Sequence, residues 1–374
     1  MNSYAPTLLL ACDLGKSGGK FFYKLLHGQT HALWMEAEVA QREASGVESV
    51  SPGGRPQDCA WFRNGEVLTF VGKAAQRFLD YNSFKEDKSL KAPERIVGAL
   101  GAIAKTEDLP SRFDAVVWVL LPINELATRQ QIASRLTTLA QGFWFQDEVE
   151  HRVNLTLSFR PEGYGIYVQR KAQLQQAGLS IAQRTTWIEM LGHRNGTQLA
   201  FETGTLNSAK STSKFPGFWE SFEKAANAAG VSVTEYDVLL RALETRQAQQ
   251  YSVAKGTAVD FSAAIAQVEA AYLASLESHF TDHLLPSLAT GKGDVVLAGG
   301  AAYLMREPLR QFFDERGFAP RLSCAWEHQE ALSQLVNAQL PEAVELQSLP
   351  MRMTDGFGLF QALLGDVNRL RGAS

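Results

Sequence analysis

Ala11-Cys12-Asp13-Leu14-Gly15-Lys16-Ser17-Gly18-Gly19-Lys20 lies between two extended runs, and its reading decides the fold. Residues 7–12 are apolar and rich in strand formers. Residues 20–26 resume an extended pattern with no helix between, which predicts a hairpin closed by a glycine-rich turn. Glycines let a backbone turn tightly and bring successive N–H groups against anionic oxygens. Asp13, at the strand end, can hold Mg²⁺ through water, because that ion gives up its hydration reluctantly. Lys16 and Lys20 supply charge that could neutralise phosphate. The same residues also suit a plain hairpin turn with surface lysines. A Walker A loop is excluded: it needs glycine where Leu10 stands and a helix, not a strand, afterwards.

Working outward, the theme recurs. Glu189-Met190-Leu191-Gly192-His193-Arg194-Asn195-Gly196-Thr197 is again strand, turn, strand, although Asn-Gly is by itself a strong hairpin signal. Val295-Val296-Leu297-Ala298-Gly299-Gly300-Ala301-Ala302-Tyr303 is a buried strand ending in small residues before a helix. Small residues there let a flat ring or a phosphate approach the backbone. Between these motifs, residues 114–121 form a continuous apolar run, as expected of a strand covered on both faces, before Pro122. Asn124 is placed to cap a helix running to about 141. Residues 149–159 alternate as a strand and end in Arg160-Pro161-Glu162-Gly163. Helices are expected over 91–103, 166–177, 218–229, 234–249, 261–288, 303–313 and 359–370, with 45–56 the least ordered stretch by composition. Strands alternating with helices predict an α/β architecture.

Bulk properties narrow the class. The chain has 374 residues, 45% hydrophobic and 20% charged, enough for about two domains. A net charge of −4 gives no basic footprint, so direct nucleic-acid binding is not expected. Three widely spaced cysteines without C-x-x-C read as neither a disulfide framework nor a zinc site. No stretch approaches 18 apolar residues, so no membrane span is expected and a cytoplasmic location is.

In order and spacing, these motifs resemble the actin/Hsp70/sugar-kinase superfamily, and within it the ParM-type filament proteins. Asp13-Leu14-Gly15-x-Ser17-x-x-Lys20 is similar to the first phosphate loop, Leu191-Gly192-x-Arg194-Asn195 to the second, and Leu297-Ala298-Gly299-Gly300-Ala301 to the adenosine loop. Arg160–Gly165 is similar to the connecting segment that carries a water-activating Glu or Gln. The resemblance implies a two-domain actin-like (ribonuclease H-like) fold with nucleotide in the interdomain cleft. Domain I would be 1–183 plus 350–374, with a small insertion at 31–94; domain II would be 184–349, with an insertion at 226–284. It implies ATP or GTP with Mg²⁺ as cofactors. Phosphate contacts would come from Asp13, Gly15, Lys16, Ser17, Gly18, Gly19, Lys20, Gly192, His193, Arg194, Asn195 and Gly196, and base-side contacts from Gly299, Gly300, Ala301 and Tyr303. Glu162 would orient or deprotonate the attacking water; as a bare residue it also suits an exposed turn carboxylate. Self-association into filaments and a DNA-binding adaptor partner are the implied interactions, for plasmid segregation, intracellular positioning or cell shape.

One position departs from the pattern. The second loop of that superfamily begins Asp-x-Gly, and Met190 stands at the matching site. Glu189 is adjacent, but neighbouring strand side chains point to opposite faces and it cannot substitute. Hydrolysis is therefore expected to be slow. A nucleotide-binding scaffold with attenuated catalysis, or a small-molecule kinase of the same fold, are the alternatives.

Overall fold

The computed structural model describes residues 7–15, 18–46, 54–78, 88–147, 149–327, 329–340 and 349–372. The stretch expected to be least ordered falls largely, at 47–53, outside the described residues. The chain divides into two compact units. The first takes the described residues through Gly165, then 331–340 and 355–372; the second takes those of 166–330 and 349–354.

The first unit is built on one nine-stranded sheet. Its strands are β1 (Thr7–Gly15), β2 (Gly18–Leu25), β3 (His31–Met35), β4 (Val39–Glu43), β5 (Trp61–Asn64), β6 (Val67–Val71), β7 (Arg112–Leu121), β8 (Phe143–Phe145) and β9 (Glu150–Pro161). They run in the order β3-β2-β1-β7-β9-β8-β5-β6-β4. β1, β7 and β9 are parallel neighbours, so their C-terminal ends share one edge of the sheet. Helices cover both faces, which is why β1 and β7 read as unbroken apolar runs. α1 (Ala92–Thr106) packs Ile96, Val97, Leu100 and Ile103 into one core with Leu8, Leu10, Cys12 and Leu14. Each fully buried leucine of this kind contributes about 1.5–3 kcal/mol. On the opposite face Phe22 meets Phe357 and Phe360 of α11 (Leu349–Gly372), with ring centroids 5.3 and 6.4 Å away.

Two helices of this unit depart from expectation. The helix expected from Asn124 starts later: residues Ile123–Thr128 form 3₁₀ turns after Pro122, closed by Glu125 N–H on Pro122 O (2.8 Å), and α2 spans Arg129–Ala140. α11 starts at Leu349, not at 359, so Gly356 and Gly358 lie inside the helix and not ahead of it. The reason is steric. A Cβ on Gly358 would lie 2.2 Å from Gly165 O, and one on Gly165 would lie 2.0 Å from Asp355 O. At the start of α3 (Tyr164–Gln176) two backbones meet with no room for a methyl group.

The second unit has a six-stranded sheet ordered β12-β11-β10-β16-β17, with β13 also paired to β11. These are β10 (Thr185–Leu191), β11 (Asn195–Glu202), β12 (Thr205–Leu206), β13 (Thr212–Pro216), β16 (Gly293–Ala298) and β17 (Leu322–Cys324); β14 (Gln249–Ser252) and β15 (Thr257–Asp260) form a separate hairpin. That hairpin begins where the helix expected over 234–249 should end. α5 (Tyr236–Thr245) instead stops at Arg246, whose φ is 58°. The long helix expected over 261–288 is broken into α6 (Ser262–His279), a π-helical turn (Phe280–Leu284) and α7 (Leu285–Ala289). Pro286 has no N–H to donate, and a wider turn absorbs the missing bond. α4 (Phe218–Ala228) and α6 bury Phe218, Phe222, Tyr272 and Leu276 against Trp187, Leu191 and Leu297 of the sheet. α8 (Gly300–Leu304) and α9 (Arg306–Glu315) follow in this unit, while α10 (Glu330–Gln339) belongs to the first unit from Ala331 on. The helix expected over 303–313 is thus two helices. The contact division at Gly165/Ile166 falls in the first turn of α3, whereas the expected boundary at 183/184 lies beyond its C-terminus.

Candidate functional site

In the first unit, the β1–β2 hairpin has the register Asp13↔Lys20, Leu14↔Gly19 and Gly15↔Gly18. Directly opposed residues point to the same face, so Lys20 Nζ reaches Asp13 Oδ2 at 2.9 Å. Both are nearly buried, at 9% and 5% exposure, so this is a desolvated ion pair rather than a surface one. Arg95, on α1, approaches from the other face and donates to Leu14 O (3.2 Å) and Gly15 O (3.1 Å). Burial pulls its pKa down to about 10, against the pull of Asp13 and Glu38. Lys16 and Ser17 lie outside the described residues. Gly18 and Gly19 each leave room for an aromatic ring: a Cβ would fall 2.3 Å from the Trp34 ring and 2.5 Å from that of Phe21.

At the same edge, Glu162 follows β9 and is almost buried, so it is not an exposed turn carboxylate; its N–H donates to Leu121 O at 2.8 Å. The carboxylate of Asp355, on α11, accepts from Gly163 N–H (2.6 Å) and Gly165 N–H (2.8 Å). Asp355 thereby fixes the turn that carries Glu162. Gly356 comes close enough that a Cβ there would lie 3.3 Å from Asp13 Cβ.

In the second unit, β10 and β11 close the turn that holds Gly192, His193 and Arg194. Gly192 O accepts from Phe218 N–H (3.1 Å) and His193 O from Trp219 N–H (2.8 Å), so the first turn of α4 holds this segment. Gly196 leaves space for the Phe215 ring, which a Cβ would approach to 2.0 Å. The His193 ring lies 4.7 Å from that of Trp219. Desolvation of the imidazole, reinforced by the charges of Arg194 and Arg352, pulls its pKa below the ordinary value. Met190 is half-buried, and Glu189 points the opposite way, as strand alternation requires. Glu189 is fully buried, with Oε2 3.5 Å from His279 Nε2. That is an ion-pair distance without an aligned hydrogen bond: among the described residues neither oxygen nor His279 Nε2 has a hydrogen-bond partner. Burial raises the Glu189 pKa, and His279 opposes the rise.

β16 runs parallel beside β10, with Met190 opposite Ala298. The Gly299–Gly300 loop therefore stands next to the Gly192 turn. Gly299 has φ 91°, and a Cβ there would strike Leu191 O at 2.4 Å. Gly300 and Ala301 open α8, and Tyr303 packs under Arg306 at 4.5 Å. Within each unit, then, the structure gathers the expected residues at the C-terminal edge of parallel strands, the usual ligand edge of α/β sheets.

The donors decide what kind of divalent cation could sit here. Among the described residues no group of three or more His, Cys, Asp or Glu side chains is placed to hold a metal. Mg²⁺ carried in by phosphates needs only one or two carboxylates and keeps its waters. In the first unit Asp13 supplies one such carboxylate, which fits a phosphate-bound ion. Arg95 and the tie from Asp355 are not legible in the sequence. Each acts over a long sequence separation that no local pattern announces.

No protein-family model and no curated protein sequence matches this chain. Solved structures do. The archaeal actin homologue Ta0583 matches with TM-score 0.64 at 16% identity, covering 96% of this chain and 99% of its own. Actin-like protein Alp7A matches with TM-score 0.67 at 12% identity, covering 99% of both chains. The Alp12 filament structure matches with TM-score 0.60 at 12% identity, covering 96% of this chain and 99% of its own. ParM from Bacillus thuringiensis and Ta0583 in complex with ADP are also similar, at TM-scores of 0.54 and 0.55. Identities this low speak to fold, and on that ground the chain has the actin-like fold shared by the archaeal actin homologue, Alp7A and ParM.

Proposed function

We propose that this protein binds ATP with Mg²⁺ and forms nucleotide-dependent filaments, with slow hydrolysis. The observation that carries the reading is the pair of glycine turns. Each closes a hairpin at the C-terminal edge of its own unit's parallel strands, on a fold whose known examples include an ADP complex and a filament. In this reading, domains 1–183 with 350–374 and 184–349 grip one nucleotide. Asp13 and Lys20 serve the phosphates, and Gly299, Gly300, Ala301 and Tyr303 serve the adenosine side. A bound Mg²⁺ would neutralise charge on the phosphates through water held by Asp13. Glu162 orients the attacking water; positioning and charge stabilisation do the work in phosphoryl transfer. Closure around a γ-phosphate links turnover to subunit contacts, and head-to-tail contacts yield open filaments. The filaments would serve plasmid segregation or intracellular positioning in the cytoplasm, through an adaptor that binds DNA in the first case.

Light scattering and electron microscopy with ATP and Mg²⁺ test the polymer. Strictly monomeric protein with every nucleotide rejects it. A second reading, an attenuated scaffold, is favoured by Met190 and by the burial of Glu189 on the far face. Phosphate release from wild type and Met190→Asp separates the two: a gain of about tenfold or more in the variant, the scale of a positioned charge in phosphoryl transfer, marks an attenuated ATPase.

A further inference from the structure

Arg95 is an expensive residue to keep where it is. It is 4% exposed, inside a helix whose neighbours Ile96, Val97 and Ala99 are fully buried. Its pKa of about 10 leaves it a cation at neutral pH despite that burial. Two hydrogen bonds run to the last two carbonyls of β1, from separate nitrogens of one guanidinium. The guanidinium also fills the space under the turn: a Cβ on Gly19 would come within 3.3 Å of Nη2.

An anion-binding turn must present N–H groups and keep carbonyl oxygens away from the ligand. In a trans peptide the C=O and N–H of one unit point opposite ways. Holding Leu14 O toward α1 therefore directs the Gly15 N–H away from the guanidinium. The second turn meets the same need by other means, since Gly192 O and His193 O are taken by backbone N–H groups of α4. Among the described residues no helix N-terminus does this for Leu14 and Gly15; the fork of one arginine does. A planar fork with two donors fits two adjacent carbonyls, whereas a lysine provides a point charge.

We infer that Arg95 is a positioning residue for phosphate, holding the Leu14 and Gly15 carbonyls at the end of β1 withdrawn with a positive charge behind them. This rests on the nucleotide reading above. The test uses the full chain: calorimetric titration of ATP-Mg²⁺ and, separately, of adenosine, into wild type, Arg95→Lys and Arg95→Met, with thermal unfolding measured without ligand. Adenosine has no phosphates, so a role confined to the phosphate turn spares it. Arg95→Met is expected to weaken ATP by about tenfold or more while adenosine stays within roughly twofold, as for loss of a charge-assisted contact system. Arg95→Lys should recover part of the ATP affinity, because the charge remains and the fork does not. If Arg95→Met fails to fold, Arg95→Lys carries the test with a smaller ATP-selective loss. Equal weakening of ATP and adenosine in a folded variant, or no change in either, overturns the inference. Wild type that binds neither ligand overturns the nucleotide reading and takes this role with it.

Discussion

The two glycine turns solve one problem with different materials. At the first, side chains do the holding: Asp13 faces Lys20 across the hairpin, and Arg95 takes two carbonyls from below. At the second, backbone does it: α4 donates two N–H groups, and Phe215 and Gly217 pack against the turn. The acidic group beside the second turn, Glu189, is turned into the core toward His279. The contrast assigns charge to the first turn and shape to the second. Stability of the first should depend on which charges remain, and stability of the second on which volumes are added.

The sharpest way to break this contrast is Asp13→Ala. It leaves Lys20 buried without its carboxylate, and removal of one partner of a buried pair costs about 3–5 kcal/mol. Met190→Ala, at the matching place in the second turn, strands no charge and should cost clearly less by denaturant unfolding. Equal losses would end the distinction. Next is Gly217→Ala, where a Cβ would meet the Arg194 carbonyl carbon at 2.0 Å. Backbone cannot swing aside as a ring can, so a loss of about 1–3 kcal/mol is expected from overpacking. A tolerated alanine there means the second turn is looser than its contacts suggest.

Glu189 provides a pH-dependent test. Its folded pKa is raised, so the folded state holds the proton more tightly than the unfolded chain. Unfolding then releases a proton, and stability falls as pH rises through and above the ordinary glutamate value. Glu189→Gln should flatten that decline; each tenfold by which folding tightens the proton is worth about 1.4 kcal/mol. A slope unchanged by the substitution would remove the buried acid from the account. The smallest effect is expected for Arg194→Ala: the side chain is exposed, and thermal stability should move by no more than about 0.5 kcal/mol.

Legibility in the sequence follows how local each cause is. The end of β10 (Thr185–Leu191) is legible because Gly192 stops the strand. β1 and β7 are legible as buried parallel strands between polar stops. The start of the β14–β15 hairpin reads as helix because nothing before Arg246 announces a left-handed residue. The start of α11 is hidden because Gly356 and Gly358 look like breakers, and the cause of the second, a crossing with Gly165, lies far away in sequence. Among site residues, the turn motifs are visible as glycines near charges. Arg95 is not, since a buried arginine in a helix carries no local signature.

That glycine crossing bears on how relatives of this chain can be found. Identity to the archaeal actin homologue, Alp7A and Alp12 runs from 16% down to 12%, and sequence profiles lose the trail. Positions 165 and 358 are held by backbone atoms on both sides, so compensation by reshaping a neighbouring side chain is closed to them. Two glycines set by mutual contact, about 190 residues apart, are fixed points on which an alignment could be hung where the loops between them have drifted beyond recognition.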